Sequence, residues 1–177
     1  MEGVTIKPLA LTKKDHRKDK LVNYISFLKY IMTLRIDLSK EVRSSVQHTL
    51  QYFMNVEDLP RFHPEYIKNV RIMHRQGSDN NKNIEFEQEA SFHGKKIKSV
   101  NRLIRYENSI IIETIDGNGK GSRTNIRCQE LTPENTRITL EGELHYGLLE
   151  KLLSGSIHAV TERMFKEDIR NIERRVQ

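Results

Sequence analysis

The chain has one cysteine, no tryptophan and only four prolines in 177 residues. Cys128 has no partner for an internal disulfide, which excludes a small scaffold built on cross-links and favours a reducing compartment, so a cytoplasmic location is expected. Metal or iron–sulfur clusters built on cysteine are excluded on the same ground. Long apolar runs are missing too. The richest window, residues 21–34, is interrupted by Asn23, Ser26 and Lys29 and is too short to span a bilayer. After residue 32 there are no linkers, low-complexity tracts or repeats. Apolar residues, 36% of the total, recur in patterned segments, which excludes disorder throughout. A chain this long suits one domain, and such a domain buries roughly 70% of its unfolded surface, so it needs no disulfide or metal staple.

What is present in excess is positive charge, a formal net of +6. Residues 1–32 hold seven basic side chains (Lys7, Lys13, Lys14, Arg17, Lys18, Lys20 and Lys29) against Glu2, Asp15 and Asp19. The remaining 23 basic and 21 acidic residues nearly cancel. The basicity therefore belongs to an N-terminal arm, which weakens a nucleic-acid reading of the rest. Leu21, Tyr24, Ile25, Leu28 and Ile31 or Met32 have helical spacing, so the arm is expected to form an amphipathic helix; no small-residue cleavage site marks it as a signal peptide. Met32, just before the first patterned strand, offers an alternative start.

Residues 34–38 alternate as a strand. Ser44 or Ser45 is placed to cap a helix over 46–55, and Pro60 and Pro64 mark a turn before a strand near 67–75. Residues 77–81 (Gly-Ser-Asp-Asn-Asn) read as a loop. From 84 to 144 a run of antiparallel strands is expected, because one register explains the charges. Turns at His93-Gly94, at Glu107-Asn108, at 117–119 and around Pro133 place Glu89 opposite Lys98, Glu85 opposite Arg102, and Arg102 opposite Glu113. They also set Glu113 against Arg123 and Arg123 against Glu143. The opposite, inward face then carries Ile84, Phe86, Gln88, Ala90, Phe92, Ile97, Ser99, Asn101, Leu103, Ile110, Ile112, Thr114, Thr124, Ile126, Cys128, Ile138, Leu140 and Leu144. Gly142 is expected to leave room there. Val100, Ile104, Tyr106, Ile111 and Ile115 form an outward apolar strip, a partner surface or a seat for the N-terminal helix. A long helix over 148–175 closes the chain, with Leu149, Leu152, Leu153, Val160, Met164 and Ile172 on one stripe. The fold class is α+β.

That order of elements resembles the helix-grip fold of the START-like (SRPBCC) superfamily, which includes polyketide cyclase/dehydrase-like and coenzyme Q-binding proteins. The resemblance covers residues 33–175. Its best local motif is Asn55-Val56-Glu57-Asp58-Leu59-Pro60-Arg61-Phe62-His63-Pro64, similar to the family's acidic–hydrophobic–Pro–x–aromatic–x–Pro segment, with Phe62 where the family often carries Trp. The resemblance implies a curved sheet wrapped around the C-terminal helix, with a cavity between them for an apolar small molecule or lipid such as an isoprenoid quinone.

The inward face agrees with that implication. It is aliphatic with five neutral polar groups (Gln88, Ser99, Asn101, Thr114 and Thr124), many for a dry core, and no well-placed charge in its middle. The alternative is a filled core whose polar groups bond one another. Candidate ligand-binding residues are Phe62, His63, Phe86, Gln88, Asn101, Leu103, Ile112, Thr114, Thr124, Ile126, Leu140, Leu149, Leu152 and Leu153.

No nucleophile–base pair, paired carboxylates or metal-ligand spacing appears, and no cofactor is implied. His63 is the best candidate acid/base, although a solvated loop histidine is the commoner role. Cys128 reads as a small buried hydrophobe. The leading expectation is a non-enzymatic binding protein. A polyketide cyclase/dehydrase is the first alternative. The second is an RNA- or ribosome-associated protein, with RNA or a membrane surface contacted through the basic arm. A homodimer is a further partner expectation.

Overall fold

The computed structural model describes residues 33–78, 81–92, 94–145 and 154–176. The basic arm and the expected residues 148–153 of the last helix, with Leu149, Leu152 and Leu153, lie outside the described residues. Seven strands are present: β1 (Thr33–Val42), β2 (Ile67–Ser78), β3 (Asn81–Phe92), β4 (Lys95–Arg105), β5 (Ser109–Gly117), β6 (Arg123–Thr132) and β7 (Asn135–His145). They form one antiparallel sheet in the order β1-β7-β6-β5-β4-β3-β2. Strands β2 to β7 are a meander, and β1 closes on β7. The chain crosses from β1 to the far edge through α1 (Val46–Met54), a 3-10 turn (Val56–Asp58) and α2 (Leu59–Phe62), and α3 (Ser154–Val176) follows β7.

Local chemistry sets these boundaries. The Ser45 hydroxyl accepts from the His48 N–H at 3.3 Å and caps α1. Pro60 occupies the first turn of α2, where its missing N–H costs nothing. The strands run further into 77–81 than its composition implies. Gly77 pairs with Lys82 and Ser78 with Asn81, because extending the ladder satisfies backbone groups that a loop would leave to water.

The register expected from the charges is the one found: Glu89 opposite Lys98, Glu85 opposite Arg102, Arg102 opposite Glu113, Glu113 opposite Arg123, Arg123 opposite Glu143. Ion pairs follow it on the outer face, among them Arg102–Glu85 at 2.8 Å, Lys98–Glu89 and Arg123–Glu113, both at 3.5 Å, and Arg35–Glu143 at 3.2 Å from β1. Exposed pairs like these contribute about 0–1 kcal/mol each, so they specify register more than they stabilise. A bulge at Ile115 shifts the pairing between Val100–Asp116 and Asn101–Thr114. Of the outward apolar strip, Tyr106 is exposed and Val100, Ile104, Ile111 and Ile115 are half-buried.

The inner face packs against α1 and α3. Val42, Leu50, Ile84, Phe86, Leu103, Ile110, Ile126, Ile138, Phe165 and Ile172 form one buried cluster, with Leu38, Ile112, Leu140 and Ile169 against it. One expectation about this face needs correcting. Gly142 leaves no room: a Cβ there would lie 3.0 Å from the Thr124 hydroxyl and 3.1 Å from the Arg123 carbonyl, so this glycine permits a close strand approach instead. The face does carry a charge at its end, away from the middle that was expected to lack one. Continuing the β4 alternation past Leu103 turns Arg105 inward, where it is only 2% exposed and donates to the Gln47 side chain at 2.7 Å. Its Nε has no hydrogen-bond partner.

Candidate functional site: a cleft between the sheet and the last helix

An apolar cleft of about 290 Å³ opens between β3–β4 and the N-terminal half of α3. Ala90, Phe92 and Ile97 line it from the sheet, Leu144 from the end of β7, and Ile157, Val160 and Met164 from α3; Tyr66 and Ile67 reach it from the segment after α2. The polar contributors are Gln88, Ser91, Asn118, Thr161 and the rim residue His145. No Lys, Arg, Asp or Glu is among these lining residues. A helix spacing of three and four puts Ile157, Val160, Thr161 and Met164 on one face, and strand alternation puts Gln88, Ala90 and Phe92 on the other wall.

The structure divides the candidate ligand-binding residues. Gln88 lines the cleft. Phe86, Asn101, Leu103 and Ile126 are buried, and Ile112, Thr114, Thr124 and Leu140 are half-buried, all outside its lining. At that end α1 packs against β5, β6 and β7. The polar residues there bond each other: Thr114 donates to Asn101 at 2.9 Å and Asn101 donates to Ser99 at 3.0 Å. The site reading missed Tyr66, Ile67, Ile157 and Thr161. Met164 and Val160 were legible as a stripe but were not assigned to a ligand.

Phe62 and His63 belong to a different cluster, where α2 meets α3. His63 is 1% exposed, not solvated. Its Nδ1 lies 3.1 Å from Glu167 and its Nε2 2.8 Å from Asp168. A neutral imidazole has one N–H, so two carboxylate partners require the imidazolium. Burial pushes the His63 pKa down, but the hydrogen bond and charge of Asp168, and then those of Glu167, outweigh it and hold the group above its ordinary 6.5.

Asp168 also accepts from the Tyr52 hydroxyl at 2.7 Å. Burial, then the Asp168 charge, raises the Tyr52 pKa, so the phenol stays a donor. Phe62 stacks on Tyr52 at 4.7 Å, and the Arg175 guanidinium lies over both rings. With both nitrogens engaged and no place in the cleft lining, His63 ties α2 to α3. Cys128 is buried, and that burial pushes its thiol up to about 12, the behaviour of an inert core residue. Among the described residues no group of His, Cys, Asp and Glu is arranged to hold a metal ion, and no helix is long and apolar enough to cross a membrane.

No family model and no curated protein matches the sequence. Solved structures do match it in shape. A Thermus thermophilus protein superposes with a TM-score of 0.67 at 14% identity, over 81% of this chain and 97% of that one. The Zhui aromatase/cyclase of a Streptomyces species gives 0.66 at 13%, over 82% and 96%. A START superfamily protein from Mycobacterium smegmatis gives 0.62 at 15%, over 78% and 98%. Identities this low establish architecture alone: the chain has the helix-grip fold that START superfamily proteins and polyketide aromatase/cyclases share.

Proposed function

We propose that this protein binds an apolar small molecule in the cleft between β3–β4 and α3. The observation that carries the reading is the lining, in which eight aliphatic or aromatic side chains without a hydroxyl (Ile67, Ala90, Phe92, Ile97, Leu144, Ile157, Val160 and Met164) surround a few neutral polar groups and no Lys, Arg, Asp or Glu. Apolar walls with few orienting polar groups are the usual composition of small-molecule sites, and about 290 Å³ lies at the small end of their range of roughly 300–1,000 Å³. It suits a compact ligand, or the leading end of a longer one such as an isoprenoid quinone or lipid. The aromatase/cyclase neighbour raises a catalytic reading. Binding is favoured over it because His63, the candidate acid/base, is sequestered between Asp168 and Glu167 and does not line the cleft.

Native mass spectrometry of the freshly purified protein tests the proposal. We expect a population carrying extra mass that organic extraction releases. Val160→Glu, which sets a carboxylate in the apolar lining, abolishes that population while the circular dichroism of the fold is retained. A protein that carries no extra mass, and a variant that behaves identically, contradict it.

A further inference from the structure

The ligand-binding reading above leaves the chemistry of the ligand open, and the cleft narrows it. We infer that the ligand is an uncharged amphiphile whose alcohol or ketone head hydrogen-bonds to Gln88, making Gln88 the residue that sets specificity. On β3 the alternation that buries Ile84 and Phe86 turns Gln88 to the same inner face, where it lines the cleft half-buried. Among the described residues no protein group bonds its amide, which offers two donors and one acceptor.

Three other polar side chains of the cleft each make one bond to the protein, whereas the Gln88 amide makes none among the described residues. The Tyr66 hydroxyl accepts from Arg163 at 3.1 Å, Thr161 donates to the Ile157 carbonyl at 2.9 Å, and the Asn118 carbonyl accepts from the Lys98 N–H at 3.2 Å. Ser91 lies on the outward alternation of β3, and His145 is exposed at the rim.

Opposite Gln88 on β4 is Ser99, whose oxygen already accepts from Asn101 while Asn101 accepts from Thr114. That relay holds Ser99 with its own proton still free to donate, beside the unengaged amide. Ser99 lies outside the cleft lining, so a polar head entering here meets the two donors and one acceptor of the Gln88 amide. A carboxylate would lose its hydration with no Lys or Arg in the lining to replace it, and an amine would find no Asp or Glu. Neutral heads are selected by that difference, and the apolar walls take the body of the molecule.

Displacement of Nile red, an uncharged apolar dye, by decanol and by decanoate tests this with wild type, Gln88→Leu and Gln88→Lys. Wild type is expected to prefer decanol. Gln88→Leu should bind decanol about five- to tenfold more weakly, the loss of one hydrogen bond, with each variant referred to its own directly titrated Nile red affinity. Gln88→Lys should reverse the ranking in favour of decanoate. Unchanged decanol affinity in Gln88→Leu, or an unreversed ranking in Gln88→Lys, overturns the role of Gln88 while leaving an occupied cleft. A wild-type protein that binds neither Nile red nor decanol overturns the ligand-binding reading itself, and this inference with it.

Discussion

His63 shows how one buried side chain links stability to pH. Its folded pKa is raised above 6.5, so the stabilisation it gives is fully present below that pH and is lost as pH rises through the folded value. Tyr52, also raised, acts in the same direction at more alkaline pH, because the unfolded phenol ionises first. Chemical denaturation across pH should therefore show stability declining from about 6.5 upward. His63→Gln should flatten that decline and cost about 3 kcal/mol at acidic pH, where it leaves Asp168 and Glu167 without their cation. A slope unchanged in the variant would assign the decline to other groups. The histidine was visible in the sequence, but its carboxylate partners were not, since Glu167 and Asp168 are more than a hundred residues away and only the docking of α3 brings them near. Arg105 was hidden differently. Strand alternation alone turns it inward, but charge argues for the surface, and here geometry overrides that preference at the cost of an orphan Nε.

At the level of elements, the sheet was the most legible part, because its signal is written twice. Apolar alternation marks the inner face, and the alternating charges of Glu85, Glu89, Lys98, Arg102, Glu113, Arg123 and Glu143 mark the outer one, so a slip by one residue breaks both. The turns close that register, and Gly117 does so under a tight constraint. It has φ +80°, and a Cβ there would lie 2.4 Å from the Lys98 carbonyl. Gly94 has a similar φ of +75° with nothing within 4 Å. Replacing Gly94 by alanine should cost about 1–2 kcal/mol, the left-handed backbone alone. Gly117→Ala should cost clearly more in the same denaturant titration, since it also displaces β4 beside Ser99 and the cleft. Equal costs would mean that the contact with Lys98 is relieved without consequence. The helices were legible in position but not in docking: α3 presents Phe165 and Ile169 to the core alongside the expected Ile172, and sequence periodicity does not say which part of a stripe meets the sheet and which borders a void.

Across the whole molecule, the inner face resolves into two zones. Under α1 lies the buried core cluster, which takes in Phe86, Leu103 and Ile126 of the candidate ligand-binding residues, with Ile112 and Leu140 packed against it. Toward the start of α3 the face opens into the cleft. Composition does not distinguish the two, because both are aliphatic with scattered neutral polar groups; what differs is which helix lies above. The His63 clamp sits one helical turn from Met164 and three residues before Tyr66, so the same cluster that stabilises the helices also fixes two walls of the cleft. Net charge, the feature that stands out in composition, says little about this function, since its excess falls on residues 1–32.

A methyl-labelled NMR titration with decanol tests the cleft most directly. Resonances of Ile97, Ile157, Val160 and Met164 should shift together and saturate, while the core methyls of Leu50 and Ile138 stay in place. Shifts absent from the cleft methyls, or centred instead on Ile104 and Ile111 of the outer face, would contradict the account.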